Sequence, residues 1–181
     1  ENAPDHEVLE AKLADFDARL ANCDVVILSD YGKGGLAHIT EMIARARAAG
    51  KLVLVDPKGD DYVRYAGATL LTPNRSELRQ VVGGWRDDAE LEQKASRLRS
   101  ELKLDALLVT RSEEGMTLFS ATGATHEPAV AREVYDVSGA GDTVIATLAV
   151  MLGGGMSLQQ AMRQANLAAG VVVGKLGAAT C

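Results

Sequence analysis

The chain has 181 residues, 47% of them hydrophobic and 24% charged, with a formal net charge of −6; this is the make-up of one globular domain able to bury a core, not of a disordered or fibrous chain. The negative balance and the lack of any Lys/Arg run argue against nucleic acid or a membrane surface as partner, and Cys23 and Cys181 cannot build a disulfide framework. No apolar run has the length of a membrane span or the flanks of a signal peptide, so cytoplasm is the default expectation.

The first residue is Glu1 rather than Met, and the expectation is a part of a longer chain. Leu9, Leu13, Phe16 and Leu20 recur at helical spacing and predict an amphipathic helix over 5–21, leading into a strand at Val25-Val26-Ile27-Leu28. Leu36, Ile39, Ile43 and Ala46 form a second helical stripe that stops at Gly50, followed by the strand Leu52-Val53-Leu54-Val55. Thr69-Leu70-Leu71 is a short strand, Ser76 to Val82 a short helix, Asp88 to Leu102 a longer one, and Ala106-Leu107-Leu108-Val109 a fourth strand. Continuous apolar strands of this kind suit a parallel sheet covered on both faces, with ligands beyond the strands' carboxyl ends. Met116 to Phe119 and the region from Thr125 to Tyr135, separated by Gly123, read as antiparallel strands on the sheet edge. Helices over about 140–152 and 157–174 close the chain, with Gly153-Gly154-Gly155 as the break and Ser157 as an N-cap.

Polar residues gather just after the strands. Asp30, Tyr31, Lys33 and three glycines follow the first strand; the loop is either a ligand loop or a solvated turn with Lys33 exposed. Asp56-Pro57-Lys58-Gly59 follows the second, where Lys58 is equally a phosphate contact and an ordinary surface lysine. Thr72-Pro73-Asn74-Arg75-Ser76-Glu77 follows the third; Asn74 is a good N-cap and Glu77 lies three residues on, so a capping-box helix start is one reading and a ligand element another. Thr110 to Gly115 follows the fourth. Asn166 interrupts an apolar helix and needs partners, met by a structural hydrogen bond or by the rim of a base pocket. His6, His38 and His126 stand apart from each other and from ligand-spaced groups, so no zinc site is expected.

The most informative segment is Asp136-Val137-Ser138-Gly139-Ala140-Gly141-Asp142, a Gly-Ala-Gly turn and a carboxylate at the mouth of an apolar helix. Backbone N–H groups of Gly139, Ala140 and Gly141 would point at an anion, with the helix dipole and the absence of Cβ atoms on the glycines both favouring phosphate. Asp142 there is either a dipole-favoured cap or a general base for a hydroxyl that must lose its proton. Val144 stands where a dinucleotide fingerprint needs glycine, and no Gly-Lys-Ser/Thr follows, so neither of the commoner glycine loops is present.

That segment resembles the carboxy-terminal signature of the ribokinase-like (PfkB) sugar kinases, Asp-Thr-x-Gly-Ala-Gly-Asp, with Val137 in place of the usual Thr. Asn74 to Glu77 resembles the family's Asn-x-x-Glu element and Thr110 to Gly115 its Thr-x-Gly-x-x-Gly loop, with Ser112 where glycine is usual. Within the family, residues 28–34, 55–59, 71–77, 109–116 and 170–177 are similar to the heptose-7-phosphate kinase subgroup. The resemblance implies a three-layer α/β fold with a mostly parallel sheet, incomplete at the amino-terminal side, so that residues 1–181 are the carboxy-terminal, nucleotide-binding portion of a single kinase domain. It implies ATP-dependent phosphorylation of the C1 hydroxyl of D-glycero-β-D-manno-heptose 7-phosphate, on the way to ADP-heptose and lipopolysaccharide core, by a chain inactive as a fragment. The alternatives are a PfkB kinase for another sugar or nucleoside, and a nucleotide-binding module without turnover. The roles it implies are Asp142 as base with Gly139, Ala140 and Gly141 stabilising charge; Asn74, Arg75, Ser76, Glu77, Lys58, Thr110, Gly115 and Asn166 at ATP; Asp30 and Lys33 at the sugar; Glu77 and Asn74 holding Mg²⁺ through water; and Asp136 at K⁺. The implied partners are ATP and a sugar phosphate, and the implied assembly a homodimer.

Overall fold

Apolar runs of four or five residues, too short for buried helices and bounded by Gly, Pro and Asp, become strands. The computed structural model describes residues 5–130 and 139–174. Helix α1 (His6–Leu20) is followed by β1 (Val25–Ser29), α2 (Ile39–Ala48), β2 (Leu52–Asp56), a 3₁₀ turn at Tyr62–Tyr65, β3 (Leu70–Leu71), α3 (Arg75–Val82), α4 (Asp88–Glu101) and β4 (Ala106–Thr110). A second 3₁₀ turn at Ser112–Glu114 leads to β5 (Met116–Ser120), β6 (Gly123–Glu127), α5 (Ala140–Gly153) and α6 (Leu158–Val173).

The strands form one six-stranded sheet in unbroken chain order. β1 to β4 are parallel, while β5 and β6 return antiparallel. Because each parallel crossover steps the same way and such crossovers are right-handed, the helices between β1 and β4 all land on one face. Strand parity does the rest. Val53, Val55, Leu71, Leu107 and Val109 pack with Leu13, Ile43, Leu78 and Leu91 of α1 to α4, while Leu54, Leu70, Leu108 and Leu118 pack with Ile145, Leu148 and Met162 of α5 and α6. A strand sandwiched in this way is apolar at every position, which is why these strands show no alternation. Leu54, Leu70, Leu71, Leu107 and Leu108 have no exposed surface, and truncating any one to Ala costs about 2–5 kcal/mol.

Two boundaries differ from expectation. Gly123 opens β6 instead of separating two strands: it pairs with Ser120 across a two-residue turn and takes φ of 108°, a conformation that favours glycine. β6 ends at Glu127, and residues 131–135 lie outside the described part, as do residues 136–138 and 175–177. The second helix starts at Ile39, after a turn in which Ile39 N–H donates to Leu36 O at 3.1 Å; Leu36 packs on the core from that turn.

Candidate active site

Parallel strands end together, so the loops that follow them share one edge of the sheet. The N–H of Asp30 donates to Asp56 O at 3.0 Å, tying the loop after β1 to the end of β2; the N–H of Thr110 donates to Pro73 O at 3.0 Å, tying the end of β4 to the loop after β3. Over this edge stands the start of α5.

Asp30, expected at the sugar, is 4% exposed and already engaged. Its Oδ1 accepts from Gly32 N–H at 2.9 Å, and its Oδ2 accepts from the Tyr65 hydroxyl at 2.8 Å with Arg64 Nη1 at 3.6 Å. Asp30 thus organises its own loop, on which Lys33 is exposed. Tyr65 also accepts from Lys58 N–H at 3.1 Å and lies 3.0 Å from Lys58 O, so one phenol fixes the loops after β1 and β2 together. Burial, with the Asp30 bond adding, pushes this phenol up to about 12.

The Lys58 ammonium is paired with Glu77 Oε1. The other oxygen of Glu77 accepts from Asn74 N–H at 2.9 Å, and Glu77 N–H donates to Asn74 Oδ1 at 2.9 Å, a complete capping box at the start of α3. The helix-start reading of Asn74 and Glu77 is therefore correct as structure, and it leaves Glu77 buried with one oxygen committed and one turned to the site. Asp56, half-buried at the end of β2, is pushed up to about 6: burial is the main cause, then the charges of Glu77, Asp142 and Asp30, with Lys58 opposing. Asp142, though far along the chain, is thus close enough in space for its charge to act on Asp56.

Gly139 is the N-cap of α5 with φ of 76°, in the left-handed region, and has no side chain to cap the helix. A Cβ built at Gly139 or Gly141 meets nothing within 4 Å among the described residues. Ala140 is half-buried, while Gly141 and Asp142 are exposed. Asp142 is the third residue of α5, the position Glu77 holds in α3. Asp136 lies outside the described residues.

In the loop after β4 the structure shows what several residues touch. Arg111, 8% exposed, binds Glu114 Oε2 through Nε at 2.9 Å and Asp88 Oδ1 through Nη2 at 2.7 Å. Glu114 also pairs with Arg75, so the guanidinium expected at ATP is held on the loop. Burial alone would push the Glu114 carboxyl up, but Arg111 and Arg75 outweigh it and hold it below its ordinary value. Ser112 takes φ of 54°, the conformation for which the resembled family uses glycine. A Cβ on Gly115 would lie 2.1 Å from Glu127 O and 2.6 Å from Ala129 N; this glycine lets β5 start against the end of β6. Asn166, buried in α6, donates from Nδ2 to Pro128 O at 2.7 Å, a structural hydrogen bond of the kind its burial requires. Thr110 is half-buried, and Ser76 and Asn74 are exposed at the same edge.

Among the described residues no three His, Cys, Asp or Glu side chains form a ready metal cage. A single outward oxygen of a buried carboxylate suits a cation that keeps its water, which is the habit of Mg²⁺; on that chemistry Glu77 fits a hydrated ion, with Asn74 beside it holding the turn through Oδ1. Sequence reasoning missed three residues here. Asp56 was visible as a strand-ending carboxylate, whereas nothing local marks Tyr65 or Arg111, whose partners Asp30 and Asp88 lie 35 and 23 residues away.

Comparison with known families matches residues 2–181 to the pfkB family of carbohydrate kinases. A D-beta-D-heptose 7-phosphate kinase of Bordetella bronchiseptica is 56% identical over 177 residues, covering 98% of this chain and 56% of the relative. The bifunctional protein HldE of Shewanella amazonensis is 58% identical over 181 residues, covering 99% of this chain and 38% of the relative. Among solved structures, Arabidopsis thaliana ribokinase complexed with ribose and ATP superposes with a TM-score of 0.79 at 25% identity, over 91% of this chain and 54% of that one. Phosphofructokinase-2 from Escherichia coli in complex with potassium gives 0.78 at 16% identity, over 93% and 57%, a likeness of fold alone.

Proposed function

The chain belongs to the pfkB family of carbohydrate kinases, and on that premise we propose that the protein carrying it transfers the terminal phosphoryl group of ATP to the C1 hydroxyl of D-glycero-β-D-manno-heptose 7-phosphate. The observation that carries the substrate is the 56% identity to a heptose 7-phosphate kinase along 98% of the chain. In this reading residues 1–181 are the carboxy-terminal, nucleotide-binding portion of one kinase domain.

The residues have the following work. Asp142, exposed at the first turn of α5, accepts the proton of the sugar hydroxyl as it attacks. The N–H groups of Gly139, Ala140 and Gly141, at the positive end of a 14-residue helix, stabilise charge on the phosphoryl group in flight. Asp56, kept largely protonated at mildly acidic pH by burial and neighbouring carboxylates, limits the negative charge that Asp142 and the phosphates must face. Glu77 and Asn74 would hold Mg²⁺ through its waters, and the ion when bound would supply positive charge against the phosphates. Asp136 is the proposed ligand of K⁺. No helix among the described residues is long and apolar enough to cross a membrane; a cytoplasmic homodimer completes the proposal.

The test is a substrate panel on the full-length protein with ATP and Mg²⁺, following ADP release and the anomeric phosphate by ³¹P NMR. Heptose 7-phosphate should give the highest kcat/KM, above ribose, fructose 6-phosphate and adenosine. Preference for another acceptor overturns the substrate, and nucleotide binding without turnover on any acceptor overturns the kinase.

A further inference from the structure

Glu77 has two carboxylate oxygens and they are not equivalent. Oε2 is committed to the N–H of Asn74 at 2.9 Å as part of the capping box, so releasing it would open the first turn of α3. Oε1 is the oxygen left for the site, and the Lys58 ammonium is on it. Oε1 is the oxygen outside the capping box, so a hydrated cation arriving at Glu77 from the site meets the ammonium there. The Lys58 backbone does not move with its ammonium: its N–H donates to the Tyr65 hydroxyl oxygen at 3.1 Å, and Tyr65, itself bonded to Asp30, has no exposed surface. The lysine side chain, by contrast, is 44% exposed on a four-carbon stem.

We propose that Lys58 is a tethered, displaceable cation, which neutralises Glu77 Oε1 until a hydrated divalent metal ion takes that oxygen and sends the ammonium toward the transferring phosphate. This rests on the kinase reading for the destination of the ammonium, but not for the competition itself. The carboxylates around it explain why a resident cation is needed. Glu77 and Asp56 both act on the lysine, and the charges of Glu77, Asp142 and Asp30 in turn act on Asp56. The same surroundings hold the ammonium firmly protonated, through its bond to Glu77 first, and Asp56 adds to this.

The experiment titrates Mn²⁺ into the full-length protein without nucleotide, by calorimetry, for the wild type, Lys58→Met and Lys58→Arg. Removing the competing charge should tighten Mn²⁺ binding about tenfold in Lys58→Met, the low end of what one opposite charge does to a neighbouring carboxylate, while Lys58→Arg stays near the wild type. Glu77→Gln added to Lys58→Met should abolish the gain. In turnover with ATP the same Lys58→Met protein should have a lower kcat, so metal affinity and rate move in opposite directions. Unchanged or weaker Mn²⁺ binding in Lys58→Met overturns the proposal, because a lysine that serves only phosphate, or only stability, does not compete with metal in the absence of nucleotide. Failure of the wild type to phosphorylate heptose 7-phosphate overturns the substrate reading and leaves the Mn²⁺ result standing.

Discussion

Two helices begin at the site, and each carries a carboxylate at its third residue. In α3 the carboxylate is Glu77, buried and tied by the capping box to Asn74; in α5 it is Asp142, exposed, behind a glycine N-cap that has no side chain to offer. In the proposed mechanism the same helical position is put to opposite uses. Where the sequence satisfies the first turn from within, the carboxylate becomes a fixed charge that can hold a cation. Where glycine caps the first turn, its N–H groups are left without a side-chain acceptor and the carboxylate is exposed, which suits the proposed proton transfer. The difference lies in the N-cap residue, Asn against Gly.

The largest effect that tests this contrast is at Asp142. Asp142→Asn in the full-length protein should lower kcat by roughly 10²–10⁴-fold, the usual worth of a general base, and leave the affinity for ATP within about threefold. Steady-state kinetics with a separate ATP-binding titration decides it. A kcat within about threefold of the wild type would make the two carboxylates alike, both of them helix caps.

Glu77→Gln comes next. Glutamine can still accept from Asn74 N–H, so the capping box and the melting temperature should survive, while the charge that faces Lys58 and the metal's water is lost. The Mg²⁺ concentration for half-maximal rate should rise about tenfold, as for other groups that act on a metal through an intermediary. A drop in melting temperature with unchanged Mg²⁺ dependence would instead place Glu77 wholly in the service of α3.

How far these roles could be read from the chain depends on range. Apolar runs and caps are local, so the order of strands and helices, the Ser157 cap and the Asn74–Glu77 start were all legible. The gathering of polar residues at one edge followed from the strands being parallel. What each polar residue touches was not legible, because the deciding partners are distant. Asp30 reads as a sugar ligand until Tyr65, from a turn with no periodic pattern, is found on its carboxylate. Arg75 reads as a contact for ATP, and its pairing with Glu114, 39 residues away, is not visible along the chain. Ser112 reads only as a departure from a motif, and its backbone angle supplies the reason that glycine is usual there.

The carboxylates around Asp56 also predict a pH effect. The Asp56 carboxyl is raised in the folded protein to about 6, from about 3.9 when unfolded. The folded state therefore holds the proton more tightly, and the stability Asp56 contributes is present below about pH 4 and lost as pH rises through about 6. Asp56→Asn removes this loss. Its melting temperature should exceed that of the wild type by more at pH 7.5 than at pH 5, measured by thermal melts in buffers of equal ionic strength. A difference that does not grow with pH would mean that Asp56 carries no raised proton affinity, and that Glu77 and Asp142 are further from it in charge than their places suggest.

The smallest effect concerns Ser112, where native strain and unfolded-chain entropy oppose each other. A side chain at φ of 54° costs about 1–2 kcal/mol against glycine. Glycine, however, loses about 0.4–1 kcal/mol by loosening the unfolded chain. The native strain outweighs that loss, so Ser112→Gly should be more stable by about 0.5 kcal/mol, a rise of roughly one or two degrees in melting temperature. Like Gly139, position 112 would then be a left-handed residue where a loop meets the nucleotide edge, and the KM for ATP should stay within about twofold. A fall in melting temperature, or a several-fold rise in that KM, would show that the serine hydroxyl makes a contact of its own. The loop after β4 would in that case resemble the start of α3, which uses side chains, more than the start of α5, which uses backbone.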